Sequence, residues 1–333
     1  MRAWQVTGVG EPADVLELNC DAELPTPGPG LLRVRVAATG IGLPDLLMCR
    51  DAYALTPPRP FTPGQEAVGT VTAVGDGAKC KVGDRVMGVT AFFVGQGGFA
   101  DQCLMLDDFA LPLPDEMDDI EAAGFSIGYH TAFIGLLRRG ALGEGETLMV
   151  LGAAGGTGQA AIQLGKAVGA RVIAVAGGSE KCGFCRVLGA DEVIDYRSQD
   201  IAETARSLTA GKGVDLVWDP VGGEAFTAAT RCIASEGRIL LVGFGSGSWG
   251  QPQPEHMAMH NYSVVGVIPS SYGRDFRLEA QLALIDLWQA EKIRVAVHGS
   301  FPFERLPSAL EELSSGQVKG KLVLLGSVLP EEA

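Results

Sequence analysis

Between Thr147 and Lys181 the chain runs Thr-Leu-Met-Val-Leu-Gly-Ala-Ala-Gly-Gly-Thr-Gly-Gln before an Ala-rich stretch, and Gly152, Gly155 and Gly158 stand at a spacing that binds through backbone alone. The first permits a tight turn, the second lets a pyrophosphate approach the main chain, and the third lets a helix pack closely on a strand. Ala153, Ala154, Gly156 and Thr157 are small enough to leave the backbone N–H groups at the helix start open to phosphate oxygens. Three such glycines carry weight only in context. Here an apolar strand (Leu148–Leu151) precedes them, a helix (Gln159–Val168) follows, and a second apolar strand (Arg171–Val175) closes the unit. The stretch predicts a dinucleotide held over residues 152–158.

The end of the second strand decides which dinucleotide. Enzymes that use NAD place a carboxylate there for the ribose hydroxyls. This chain has Ala176, then Gly177 and Gly178, so a 2′-phosphate meets no like charge, and Lys181 follows within reach as a point charge. Glu180 suits the first turn of the next helix, where it complements the dipole. The pattern favours NADPH over NADH.

These residues need a parallel sheet to position them. From about residue 125, helical periodicity over Tyr129–Arg139 leads into the glycine unit. Strand Glu192–Tyr196, helix Ile201–Ala210, strand Val214–Trp218, helix Glu224–Ile233 and strands Arg238–Val242 and Ser263–Ile268 follow. Strands alternating with helices predict a doubly wound α/β sheet, with ligand at its carboxyl edge. Before it, Arg2–Thr7, Leu16–Asn19, Leu31–Ala38, Ala67–Val74 and Arg85–Val89 read as short antiparallel strands between Gly and Pro punctuation. After it come a helix at Phe276–Ala290, the strand Ile293–His298, a helix at Arg305–Leu313 and the strand Lys321–Leu325.

At 333 residues, 47% of them hydrophobic, the chain has material for two cores. A net charge of −14 without any basic run excludes a nucleic-acid or anionic-membrane surface. The first residues alternate like a strand rather than a leader, and no apolar run is long enough to span a bilayer, so the expected setting is cytoplasmic. Seven scattered cysteines read as reduced thiols. Cys182-Gly-Phe-Cys185 lacks the second pair that a four-thiolate zinc site needs.

Several segments, in order, resemble the zinc-free quinone oxidoreductase (zeta-crystallin-like) family of medium-chain dehydrogenases/reductases. They are Gly40-Ile-Gly-Leu-Pro-Asp-Leu-Leu-Met, Pro63-Gly-Gln-Glu-Ala-Val-Gly-Thr-Val, Val82-Gly-Asp-Arg-Val, Gly97-Gly-Phe-Ala-Asp, the glycine turn, Leu188-Gly-Ala-Asp-Glu-Val-Ile-Asp-Tyr, Asp215-Leu-Val-Trp-Asp-Pro-Val-Gly-Gly and Gly320-Lys-Leu-Val. The resemblance implies a GroES-like catalytic domain (1–124 and 294–333), a Rossmann domain (125–293) and a cofactor in the cleft between them. It also implies hydride transfer from NADPH to a small-molecule electron acceptor. Carried over residue by residue, Lys181 and Tyr196 contact the 2′-phosphate with Gly177 leaving room. Thr131, Val221, Phe244, Gly245 and Ser246 line the nicotinamide half, Lys321 adds a cofactor contact, and Tyr53 lines the substrate cleft. A phenol there either hydrogen-bonds a substrate carbonyl or serves as an aromatic wall. By the same resemblance, strand Ser263–Ile268 lies at a sheet edge and pairs with a second copy, giving a homodimer.

The chain departs from its relatives at Gly42, where they commonly carry Asn, and Asp45 nearby is expected to organise its loop. Gln65 stands where the zinc enzymes of this fold have histidine. Of the four histidines, His256 and His260 are four apart in a segment read as loop, so no metal is expected. The expected function is NADPH-dependent, zinc-independent reduction of quinones or α,β-unsaturated carbonyl compounds. The rival readings are a trans-2-enoyl-thioester reductase and a nucleotide-binding protein with little catalysis.

Overall fold

The computed structural model describes residues 1–327. The chain falls into two units: 1–127 with 273–278 and the tail from 295, and 128–272 with 279–294.

Alternation builds the first unit. Its strands are β1 (Ala3–Val6), β2 (Leu16–Asn19), β3 (Leu31–Ile41), β4 (Glu66–Val74), β5 (Arg85–Val89), β6 (Gln102–Leu106) and β7 (Leu111–Pro112). Short helices α1 (Pro12–Val15), α2 (Leu43–Cys49), α3 (Asp119–Ala123) and the first residues of α4 (Ser126–Phe133) interrupt them. Along β3, Leu32, Val34 and Val36 face inward and pack with Val71, Val86 and Met105. β3 runs three residues past its predicted end at Ala38, because Thr39 and Gly40 find partners on both sides and Ile41 pairs with Leu322. β6 carries no β-branched residue, which hid it from a propensity reading; buried Cys103, Leu104 and Met105 hold it beside β3.

The second unit alternates strand and helix. A π-helical segment (Ile134–Arg139) follows α4. Then come β8 (Thr147–Val150), α5 (Gly156–Ala167), β9 (Arg171–Ala176), α6 (Ser179–Val187), β10 (Glu192–Asp195), α7 (Ile201–Leu208), β11 (Val214–Asp219), α8 (Gly223–Thr230), β12 (Ile233–Leu241), α9 (Pro254–His260), β13 (Ser263–Gly266) and α10 (Arg274–Gln289). Among the described residues the strands form one parallel sheet in the order β10-β9-β8-β11-β12-β13. This is the doubly wound arrangement expected from the alternation. Met149, Leu151, Ile173, Val175, Val217 and Ile239 lie in one core with Phe226 from α8. The tail adds β14 (Val297–Phe301), α11 (Leu306–Ser314) and β15 (Lys321–Leu325), and β15 pairs antiparallel with β3 in the first unit's main sheet.

Four local expectations are corrected. The helix predicted over Tyr129–Arg139 turns π because the Gly140 N–H bonds the Gly135 carbonyl five residues back, where Trp218 lies against Gly135 so closely that a Cβ would overlap its ring. The helix predicted to reach Ile233 stops at Thr230; Ile233 instead pairs with Val214, and an irregularity separates it from Arg238. The histidine segment is the helix α9, with Pro254 in its first turn and left-handed Asn261 at its end, and it stacks the His256 and His260 rings 4.0 Å apart. The last correction is to strand Ile293–His298, which sits later, at Val297–Phe301.

Candidate nucleotide site

The glycine turn has the geometry its spacing predicts. Gly152 adopts φ +57, and a Cβ there would stand 3.0 Å from Val221 Cγ2. A Cβ on Gly158 would overlap the Gly152 carbonyl oxygen and come 2.7 Å from Ala153 Cα, so α5 starts against the turn only because that side chain is missing. The Ala153 N–H donates to the Val175 carbonyl, and the Gly155 N–H to that of Gly152. Ala153, Ala154 and Gly158 are buried, while Gly155, Gly156 and Thr157 at the helix start are half-buried and Gly152 is exposed. The residues fit a pyrophosphate: small side chains, a bare turn, and a helix start whose first N–H groups have no partner within the helix.

At the end of β9 the neighbouring strand supplies a cover. A Cβ on Gly177 would lie 2.6 Å from the Tyr196 hydroxyl and 2.7 Å from its Cζ, so the half-exposed phenol rests on bare backbone. Lys181 occupies the third residue of α6. Asp195 ties the two loops together, its Oδ1 accepting the Gly178 N–H (2.9 Å) and the Arg197 N–H (3.0 Å). These two backbone bonds hold its carboxyl below the ordinary range. Asp195 and Arg197 were not singled out in the sequence, although both adjoin the Tyr196 that was.

The remaining expected residues of this unit fall at the sheet's carboxyl edge. Val221 lies two residues past the end of β11, and its carbonyl accepts the Ser246 N–H while Pro220 accepts that of Gly245, both at 2.9 Å. The Phe244-Gly245-Ser246 loop is therefore fixed to the residue that touches Gly152. Asp219 holds this arrangement from beneath. Fully buried, it accepts the Val221 N–H at 2.9 Å and the Gly222 N–H at 2.8 Å through Oδ1, while Oδ2 has no partner among the described residues. Burial raises its carboxyl pKa. An Asp at a strand end before Pro-Val-Gly-Gly is an Asx-turn signal that could have identified it. Thr131 is buried on α4, and a Cβ on Gly128 of the same helix would stand 3.3 Å from the Gly156 carbonyl oxygen, which brings α4 to the start of α5.

Two expected residues belong to the first unit. Tyr53 is half-buried, its ring 6.5 Å from that of Phe92, and its hydroxyl has no hydrogen-bond partner among the described residues. Lys321, expected along the cofactor, is instead engaged inside this unit. Its ammonium lies 2.5 Å from Glu66 Oε1, both side chains are nearly inaccessible, and Glu66 Oε2 accepts the Ile127 N–H at 2.8 Å. Asp45 organises its surroundings as expected: in the first turn of α2 it accepts the Gly42 N–H (2.9 Å) and the Gly64 N–H (3.0 Å). Burial pushes its carboxyl up to about 7.

Gln65 is buried, and its Nε2 has no partner among the described residues. A neutral amide there does not fit a zinc ion, and among the described residues no three His, Cys, Asp or Glu side chains gather closely enough to hold one. Cys182 and Cys185 lie buried on α6, and burial pushes the Cys185 thiol up to about 12, far from a thiolate ligand.

Residues 28–115 match the alcohol dehydrogenase GroES-like domain, and residues 156–284 match the zinc-binding dehydrogenase domain. Quinone oxidoreductase-like protein 2 of Rattus norvegicus is 32% identical over 302 residues, covering 89% of this chain and 85% of its own. A probable oxidoreductase from Mycobacterium abscessus is 37% identical with a TM-score of 0.85, covering 98% of both chains. A mycobacterial protein solved in complex with NADPH is 30% identical with a TM-score of 0.90, covering 98% of this chain and all of its own. With a GroES-like domain, a Rossmann-type parallel sheet and a relative this close over most of both lengths, the chain belongs to the quinone oxidoreductase family of medium-chain dehydrogenases/reductases.

Proposed function

We propose that this protein is an NADPH-dependent oxidoreductase that reduces quinones or α,β-unsaturated carbonyl compounds. The observation that carries the reading is the bare-backbone turn at Gly152–Gly158, with the Tyr196 phenol lying over Gly177 at the end of the next strand. The NADPH complex of a relative with the same fold supports the choice of cofactor. When bound, NADPH supplies a hydride from nicotinamide C4. Gly156 and Thr157 would hold the pyrophosphate by backbone N–H groups, and Lys181 and Tyr196 the 2′-phosphate. Thr131, Val221 and the Phe244–Ser246 loop would line the nicotinamide half, with Asp219 fixing Val221 in place. On the first unit, the Tyr53 hydroxyl, without a partner among the described residues, would donate to a substrate carbonyl as negative charge builds on its oxygen. Because Gln65 replaces a metal ligand, no step is assigned to a Lewis acid.

The test is oxidation of NADPH by purified protein with a panel of quinones, free enones and crotonyl-CoA. Turnover on quinones or enones is expected, and turnover on crotonyl-CoA alone would replace this reading with thioester reduction. Cofactor binding without turnover on any acceptor would leave a nucleotide-binding protein. The edge strand β13, with Val264 and Val265 half-buried, is proposed to pair with a second copy. A monomeric mass by light scattering would refute that.

A further inference from the structure

Tyr196 is not alone over the two glycines at the end of β9. Gly178 adopts φ +88, and a Cβ there would stand 3.2 Å from Arg197 Nη1 and 3.8 Å from its Cζ, so the guanidinium lies against Gly178 as the phenol lies against Gly177. Two consecutive residues of the β10 loop thus reach over two consecutive glycines of the β9–α6 turn. The loop that carries them is well fixed. The Tyr196 N–H donates to the Ala176 carbonyl, Asp195 Oδ1 accepts the N–H groups of both Gly178 and Arg197, and the Ser198 and Gln199 N–H groups return to the Asp195 carbonyl. Arg171, Arg231 and Arg238 of the same unit are each ion-paired. The Arg197 guanidinium makes no salt bridge among the described residues, and the only charge recorded facing it is Asp195, whose Oδ1 is already committed to two backbone donors.

We infer that Arg197 completes the site for the 2′-phosphate of the cofactor and is the residue that sets the preference for the phosphorylated nucleotide. The inference rests on the reading above that a nicotinamide nucleotide lies over the glycine turn. The turn carries Lys181 and Arg197 against Asp195 and Glu180, so its formal charges cancel and net charge alone does not select a dianion. Selection then depends on which donor stands where the ribose phosphate arrives. A planar guanidinium presents parallel N–H groups to two phosphate oxygens, whereas an ammonium offers only a point charge. The backbone that carries Arg197 is fixed by the Asp195 bonds, so little ordering of the loop is needed to present its side chain.

The experiment is an equilibrium titration of the full chain with NADPH and NADH, for the wild type, Arg197→Gln and Arg197→Lys, at low and high salt. Losing a charge-assisted bond to phosphate should weaken NADPH about ten- to a hundredfold in R197Q, with R197K falling between, while NADH affinity moves far less. The NADPH preference of the wild type should decline with ionic strength more steeply than that of R197Q. If the wild type prefers NADPH and R197Q keeps the same ratio of the two affinities, the assignment of Arg197 is overturned while the nucleotide reading stands. If the wild type binds neither nucleotide, the nucleotide reading itself fails.

Discussion

Removing the ammonium of Lys321 distinguishes a buried structural pair from a cofactor contact. Lys321→Met keeps the length and apolar stem of the side chain but leaves Glu66 buried with a single backbone donor, the Ile127 N–H. Relaxation cannot bring water in cheaply, because the Glu66 side chain is 2% exposed and a Cβ on the facing Gly40 would stand 2.6 Å from its Oε1. Breaking one partner of such a pair costs about 3–5 kcal/mol. At roughly 2–4 °C per kcal/mol for a unit of this size, the midpoint of thermal unfolding should fall by about 6–20 °C. Replacing both partners in K321M/E66Q removes the uncompensated charge and should restore more than half of that loss. The assay is differential scanning calorimetry of wild type and variants, with NADPH affinity measured alongside at a temperature where all are folded. A midpoint in K321M within about 2 °C of the wild type, or no recovery in the double variant, would refute the structural reading. A loss of NADPH affinity that persists in the double variant would return Lys321 to the cofactor.

The carboxyl of Asp45, pushed up to about 7 from an ordinary 3.8, is protonated in the folded chain across a window where the unfolded chain has released the proton. Stability should therefore fall as pH rises from about 4 to 7 and level off above, by a few kcal/mol at about 1.4 kcal/mol per unit, and Asp45→Asn should flatten the melting-temperature profile over that window. An unchanged slope would place the titration elsewhere. Gly158→Ala should abolish nucleotide binding and lower stability, because the new methyl meets the Gly152 and Ala153 backbone, which cannot move aside. Gly177→Ala meets only the Tyr196 phenol, which is half-exposed and can swing away, so it should melt like the wild type yet bind NADPH more weakly in the same titration. Tyr53→Phe preserves the packing on Phe92 and deletes one hydroxyl; about a tenfold or greater fall in kcat with little change in KM identifies a hydrogen bond made as charge develops, and unchanged kcat identifies a wall.

The second unit was legible because the nucleotide site proposed there is made of backbone. A pyrophosphate site needs glycine at fixed offsets within one strand–turn–helix segment, so Gly152, Gly155 and Gly158 announce it locally, and the order of strands follows from alternation with helices. What the pattern missed there has a physical cause. The apolar positions of Phe226, Ala229 and Ile233 serve a helix period equally well, and only pairing with Val214 turns Ile233 into a strand residue. Arg197 escaped notice because an arginine after a strand is ordinarily solvated. Nothing local in the sequence says that the backbone beneath it is Gly178.

The first unit was legible as strands but not as chemistry, and the difference is one of sequence distance. Glu66 and Lys321 are 255 residues apart, and each alone reads as a surface charge next to a strand. Only when β15 pairs beside β3, and β3 beside β4, do both side chains enter one dry space. Asp45 likewise joins Gly42 in its own turn, which a helix-start pattern can suggest, to Gly64, which it cannot. Glu66 and Lys321 then act on Asp45 with opposite signs, the lysine drawing its carboxyl down and the glutamate pushing it up, against a larger cost of burial. Replacing either charged neighbour should therefore shift the Asp45 carboxyl. In K321M the ammonium that lowers the Asp45 pKa is gone, so the pH window of instability should extend to higher pH than in the wild type. If the window stays where it was, burial alone sets the Asp45 titration and the coupling is refuted.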